Sequence, residues 1–127
     1  MLNRKVLSII FLAVILSGCG KIKGTFAYKT RDMDMYRLWA YNMEFDSDER
    51  VDWVFKIDDI DKERYVGVVT LKKEVGWIDI DNYTATITPF GPNVYGQFQN
   101  LEPGSYKIAL VEKGRLIDEI EFIVYDE

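Results

Sequence analysis

Leu101-Glu102-Pro103-Gly104-Ser105-Tyr106-Lys107-Ile108-Ala109-Leu110 reads as a corner followed by a strand. Pro103-Gly104 interrupts any regular element. From Tyr106 onward the side chains alternate, so Tyr106, Ile108 and Leu110 share one face. Lys113-Gly114 is a tight-turn dipeptide, and residues 115–125 return as a second strand with Leu116, Ile120, Phe122 and Val124 on one face. A hairpin that is apolar on one side must bury that side against another layer.

The chain upstream supplies that layer in short alternating runs. Residues 94–99 form a brief strand that turns Tyr95, Gln97 and Gln99 outward, after a break at Pro89, Gly91 and Pro92. In residues 83–88, Tyr83, Ala85 and Ile87 face one way, and a row of threonines (Thr84, Thr86, Thr88) suits a solvent-facing sheet. Residues 77–80 read as a separate strand after a turn at Glu74-Val75-Gly76. Residues 65–73 are rich in β-branched side chains, with Gly67 expected at a bulge.

Residues 51–57 alternate most cleanly, with Val51, Trp53, Phe55 and Ile57 on one side and Asp52, Val54 and Lys56 on the other. Trp53 is therefore expected in the core. Residues 25–30 read as a first strand with Phe26 and Tyr28 on one face. Residues 36–45 admit two readings. A strand aligns Arg37, Trp39, Tyr41, Met43 and Phe45, whereas a helix stacks Met35, Leu38, Trp39 and Met43; the aromatic enrichment favours the strand. Seven to nine short strands with regular turn signals predict an all-β fold, a single antiparallel sandwich over residues 25–127.

The phrase LEPGSYKIAL resembles the Leu-x-Pro-Gly-x-Tyr approach to the penultimate strand of Ig-like and fibronectin-III-like sandwiches, a phrase that carboxypeptidase regulatory-type modules also use. The resemblance covers roughly residues 95–125. It implies an Ig-like β-sandwich and a tyrosine corner, with the Tyr106 hydroxyl bonded to the preceding backbone. The pair of core cysteines found in antibody domains is absent, so that type is not implied.

At the other end of the sequence, Arg4 and Lys5 precede an apolar run over residues 6–16 broken only by Ser8. The run is too short to span a bilayer, which takes about 20 residues, and suits a signal peptide. It ends in Leu16-Ser17-Gly18-Cys19, which resembles the lipobox of bacterial lipoproteins. The resemblance implies that signal peptidase II reads Leu16, Ser17 and Gly18, that residues 1–18 are removed, and that Cys19 becomes a lipidated N-terminus. The partner so implied is a membrane, held through covalent acyl chains on Cys19, including palmitate. The expected location is the cell envelope, and Gly20 after the cysteine favours the outer membrane where there are two. Residues 19–24 form a very short tether in which Lys21 and Lys23 are the only charged side chains.

Composition removes several function classes. The sequence has no histidine and one cysteine, so histidine-based catalysis, an internal disulfide and a Cys/His metal centre are excluded. The net charge is −5, and removing residues 1–18 takes away two cations and no acid. An acidic domain is poorly suited to nucleic acid. No paired carboxylates stand in a recognisable catalytic pattern, so the expectation is a protein that is not an enzyme and needs no cofactor.

Two groups remain as candidates for binding. The loop Asp58-Asp59-Ile60-Asp61 has alternating carboxylates of the kind calcium accepts, but lacks the EF-hand spacing. The default reading is a solvated loop, with calcium as its candidate ligand. Among the aromatics, Trp77, Tyr83 and Tyr95 are those expected at a surface patch. The functional expectation is a lipid-anchored envelope lipoprotein that binds an envelope protein or serves as an accessory module. The alternatives are an inhibitor or immunity-type lipoprotein, and a carbohydrate-binding module using exposed aromatics.

Overall fold

A computed structural model describes residues 21–126. The apolar run, Leu16, Ser17, Gly18 and Cys19 lie outside the described residues. Nine strands follow one another: β1 (Gly24–Thr30), β2 (Arg37–Leu38), β3 (Met43–Asp46), β4 (Val51–Ile57), β5 (Arg64–Lys73), β6 (Trp77–Ile87), β7 (Asn93–Phe98), β8 (Gly104–Glu112) and β9 (Arg115–Tyr125). They form a sandwich of two sheets, β2-β1-β4-β7 and β3-β9-β8-β5-β6.

The core lies between the sheets and holds an aromatic cluster among aliphatic side chains. Phe122 is stacked between Phe98 (centroids 4.5 Å apart) and Tyr106 (5.5 Å). Trp39 meets Phe26, Phe45 and Phe122 edge-on. Such pairs each contribute about 0.5–1.5 kcal/mol beyond their buried area. Trp53 is buried among them, as its alternation predicts. The Trp39 indole N–H is buried without a hydrogen-bond partner, so aromatic packing there offsets the cost of an unpaired donor.

The tyrosine corner forms as the resemblance implies. Tyr106 is buried, and its hydroxyl donates to the Glu102 carbonyl at 2.6 Å. The Lys113-Gly114 turn has positive φ at both residues (51° and 78°), the two-residue geometry that matches the twist of a hairpin.

Residues 36–45 are strand, but not one strand. β2 pairs with β1 in the first sheet and β3 pairs with β9 in the second. Between them the chain turns through Ala40-Tyr41-Asn42, with Asn42 at φ 58°, a conformation asparagine tolerates well. The segment therefore crosses from one sheet to the other. Trp39 and Phe45 point into the core while Tyr41 is left in solvent. The crossing also makes β3 run parallel to β9, the one departure from antiparallel pairing among the described strands.

Three local expectations are corrected. Residues 77–80 and 83–87 belong to one continuous strand, because β5 pairs along its length on both sides of Ile80, and Thr88 falls just beyond it. The irregularity lies not at Gly67 but opposite Thr70 and Leu71, where β6 carries the extra residue, Ile80; a Cβ on Gly67 would sit 2.9 Å from Val111 Cγ2, so that glycine makes room for a neighbour. In β9, Ile117 rather than Leu116 enters the core. The β8–β9 register shifts between Leu110 and Val111, which inserts an extra residue and reverses the alternation at that point.

Candidate functional site

β6 and β7 are the edge strands on the same flank of the sandwich, one in each sheet. The Tyr83 hydroxyl donates to the Tyr95 carbonyl at 2.6 Å and ties these edges together. Burial, reinforced by nearby Asp81, raises the Tyr83 pKa and keeps its proton in place as the donor. The Tyr95 ring stays exposed, and its hydroxyl accepts from Asn93 Nδ2 at 3.3 Å. Beyond this tie the two edges diverge around a cleft of about 450 Å³ lined by Arg50, Ile80, Asp81, Gln97 and Phe98.

Trp77 does not join Tyr83 and Tyr95. It sits at the opposite end of β6, across from Lys73; six residues of strand separate it from Tyr83 by about 20 Å. Its half-buried ring is covered by the Lys107 ammonium at 4.3 Å from the centroid, and Lys107 also pairs with Glu119 at 3.5 Å. The three-residue patch expected from sequence is thus two separate places. Asp58, Asp59 and Asp61 are not brought to a common point either. Among the described residues no three acidic side chains gather where they would hold a metal ion.

A different set of residues makes the apolar surface. Register places Leu38, Ala27, Val54 and Tyr95 in one row across the outer face of the first sheet, one from each strand. Ala27 and Val54 are only 4% and 1% exposed although they point away from the core, while Leu38 (74%) and Tyr95 (59%) stand up at the two ends. Tyr36, two residues before Leu38, shares this face. Its pKa is raised by partial burial, then by Asp52 and by Tyr95, so its hydroxyl lies near both. The result is a shallow apolar floor walled by Tyr36, Leu38 and Tyr95, with Asp52 and Gln97 in the adjoining row.

Sequence reasoning found Tyr95 and missed the rest. Alternation puts Val54 on the outward side with Asp52 and Lys56, where a lone valine draws no notice. Leu38 and Tyr36 lay in the ambiguous segment 36–45. The signal that would have found the row is the pairing register, which aligns isolated apolar residues from four separate stretches.

The fold is an Ig-like β-sandwich with an exposed apolar row on its four-stranded face. No protein-family model and no curated protein sequence matches the chain. Among solved structures it is similar to an immunoglobulin-like protein from Pseudomonas aeruginosa, with a TM-score of 0.48 and 13% identity over 83% of this chain and 95% of that one.

Proposed function

We propose that this chain is a lipid-anchored lipoprotein of the bacterial envelope that binds another protein through the outer face of β2-β1-β4-β7 and performs no catalysis. The observation that carries the binding reading is the row Leu38-Ala27-Val54-Tyr95 with Tyr36 beside it. Two fully packed residues form a floor and two large exposed side chains flank it, the arrangement in which a partner's apolar side chain loses the most water. The anchor reading rests on Leu16-Ser17-Gly18-Cys19 after a short apolar run. Two or three acyl chains on Cys19 would hold the domain far more firmly than one.

A photo-crosslinking amino acid at Leu38 tests the binding reading in intact cells, with the same probe at Val75 as the control. Val75 is also exposed but lies on the β5–β6 turn, off this face. The expected result is one discrete protein adduct from Leu38 and none from Val75. Equal labelling at both positions, or no adduct at Leu38, overturns it. A glycan is the competing occupant, because Tyr36 and Tyr95 offer ring faces beside Asn93 and Gln97. Binding to a glycan array that Tyr95→Ala abolishes, without a protein adduct, would decide for it. The anchor is tested by Cys19→Ala, which should shift the protein from the membrane fraction or leave it unprocessed.

A further inference from the structure

The end of the sandwich nearest the N-terminus carries one fully exposed aromatic side chain, Phe90, at 99% exposure. Register fixes its position. Gly24 opens β1 opposite Ile57, and the next row places Thr25, Lys56 and Asn93 side by side. The loop 88–92 runs directly into Asn93, so its base lies two strand spacings, about 10 Å, from the first residues of β1. The tip is held in shape. Gly91 N–H donates to the Thr88 carbonyl at 3.0 Å and contacts Thr88 Oγ1 at 3.1 Å, while Thr88 N–H donates back to the Gly91 carbonyl at 3.3 Å. Pro89 and Pro92 bracket it and restrict the backbone further. Phe90 is therefore presented to solvent by a closed, rigid turn.

The chain entering β1 is equally constrained. Ile22 is buried in the core, and the Lys23 carbonyl accepts the Asp58 N–H at 2.9 Å. Only Gly20 and Lys21 separate Cys19 from Ile22, and three peptide units reach about 10 Å at full extension. If Cys19 carries lipid, as proposed above, this end of the sandwich must stand against the bilayer. The strand ends and loops there carry charges of both signs, among them Lys23, Lys56, Lys62 and Lys113 with Asp58, Asp59, Asp61 and Glu63, so attraction to anionic lipid does not set the orientation.

We infer that Phe90 inserts into the lipid interface and acts, with the acylated Cys19, as a second point of membrane contact that stands the sandwich end-on. This inference rests on the lipid-anchor reading. An exposed apolar ring such as that of Phe is buried at the boundary between headgroups and acyl chains, and two contacts fix a tilt that a single point of attachment leaves free. The binding face then runs perpendicular to the membrane, and the Val75 turn lies at the far end of the 11-residue strand β6, about 35 Å away.

The test uses the full processed protein, extracted in detergent and reconstituted into phosphatidylcholine vesicles. Cys19 is the only cysteine, so a thioether-linked lipid leaves the thiol introduced by Phe90→Cys as the sole site for an environment-sensitive maleimide dye. Val75→Cys is labelled in parallel. The expected result is a blue-shifted emission and several-fold stronger quenching by nitroxide-labelled lipid at position 90 than at position 75, unchanged by high salt. Equal, weak quenching at both positions in protein that floats with the vesicles overturns the inference and leaves the anchor standing. Dye uptake by the unsubstituted protein, or failure to float, refutes the anchor and the inference together.

Discussion

The Tyr106 hydroxyl donates a 2.6 Å hydrogen bond to the carbonyl of Glu102, and the same ring stacks on Phe122. One side chain thus joins the corner before β8 to the centre of the core. The hydrogen bond and the stacking are separable. Tyr106→Phe keeps the ring and removes the hydroxyl. It should cost about 1–2 kcal/mol, since a partly buried hydrogen bond is lost, which for a domain of about 100 residues lowers the melting temperature by roughly 4–15 °C. Tyr106→Leu also forfeits the stack on Phe122 and should cost clearly more. Thermal unfolding of the two variants checks the order; equal losses would mean that the corner hydrogen bond contributes nothing.

The same residue ties stability to alkaline pH. Burial is the main reason the Tyr106 phenol is raised, with Lys72 opposing and Glu102 and Glu74 assisting; burial and Asp81 raise Tyr83. A phenol whose folded pKa exceeds its unfolded value near 10 holds its proton more tightly in the folded protein. The stability it contributes is fully present below about pH 10 and is lost as pH rises through the folded value. With no histidine in the sequence, no such loss is expected between pH 6 and 8. Urea midpoints measured from pH 7 to 11 should be flat at first and then fall, and the fall should be shallower in Tyr106→Phe and in Tyr83→Phe.

Gly96 pairs directly with Trp53 across β4 and β7. A Cβ placed there would lie 2.3 Å from the indole carbons, so the ring occupies the space above the glycine. Trp53 is packed on its other side by Phe26 at 6.1 Å and is 3% exposed, which leaves it little room to withdraw. Gly96→Ala should therefore destabilise by about 1–3 kcal/mol, the cost of overpacking, although alanine is otherwise at least as good a strand residue. Gly76→Ala, where nothing lies within 4 Å, is the control and should change the denaturant midpoint little.

These cases show which parts of the molecule were legible in the sequence. Alternation at Val51–Ile57 and the corner before Tyr106 mark features that each stretch decides locally, through the two-residue period of a strand and the geometry of a proline-glycine turn. The exceptions depend on pairing. Ile117 displaces Leu116 from the core because the register slips in β8–β9. Residues 36–45 divide because their two halves pair with different sheets. The row Leu38-Ala27-Val54-Tyr95 exists only once four strands are aligned, so no single stretch reveals it. By its own segment Trp77 is a surface aromatic like Tyr83, and nothing there tells that Lys107 covers its ring or that one strand, β6, carries both.

Arg64 and Glu112 form the best-shielded ion pair among the described residues, with side chains 16% and 15% exposed. The guanidinium engages both carboxylate oxygens; Nε donates to Oε2 at 2.7 Å and Nη2 donates to Oε1. The pair links the first residue of β5 to the last residue of β8, beside the Lys113-Gly114 turn. Glu112→Gln keeps the shape but removes the charge and one acceptor. It should cost about 1–3 kcal/mol, as expected for charge-assisted hydrogen bonds partly shielded from water. The Arg50–Asp52 pair has the same charges at 3.3 Å but is more exposed, and Asp52→Asn should change stability by less than about 1 kcal/mol. Raising the ionic strength should narrow the Asp52 effect and leave most of the Glu112 effect, because salt screens exposed charges more than covered ones. Parallel urea titrations at low and high salt measure both; an Arg64–Glu112 contribution that vanishes with salt would mean that the pair is solvated in solution.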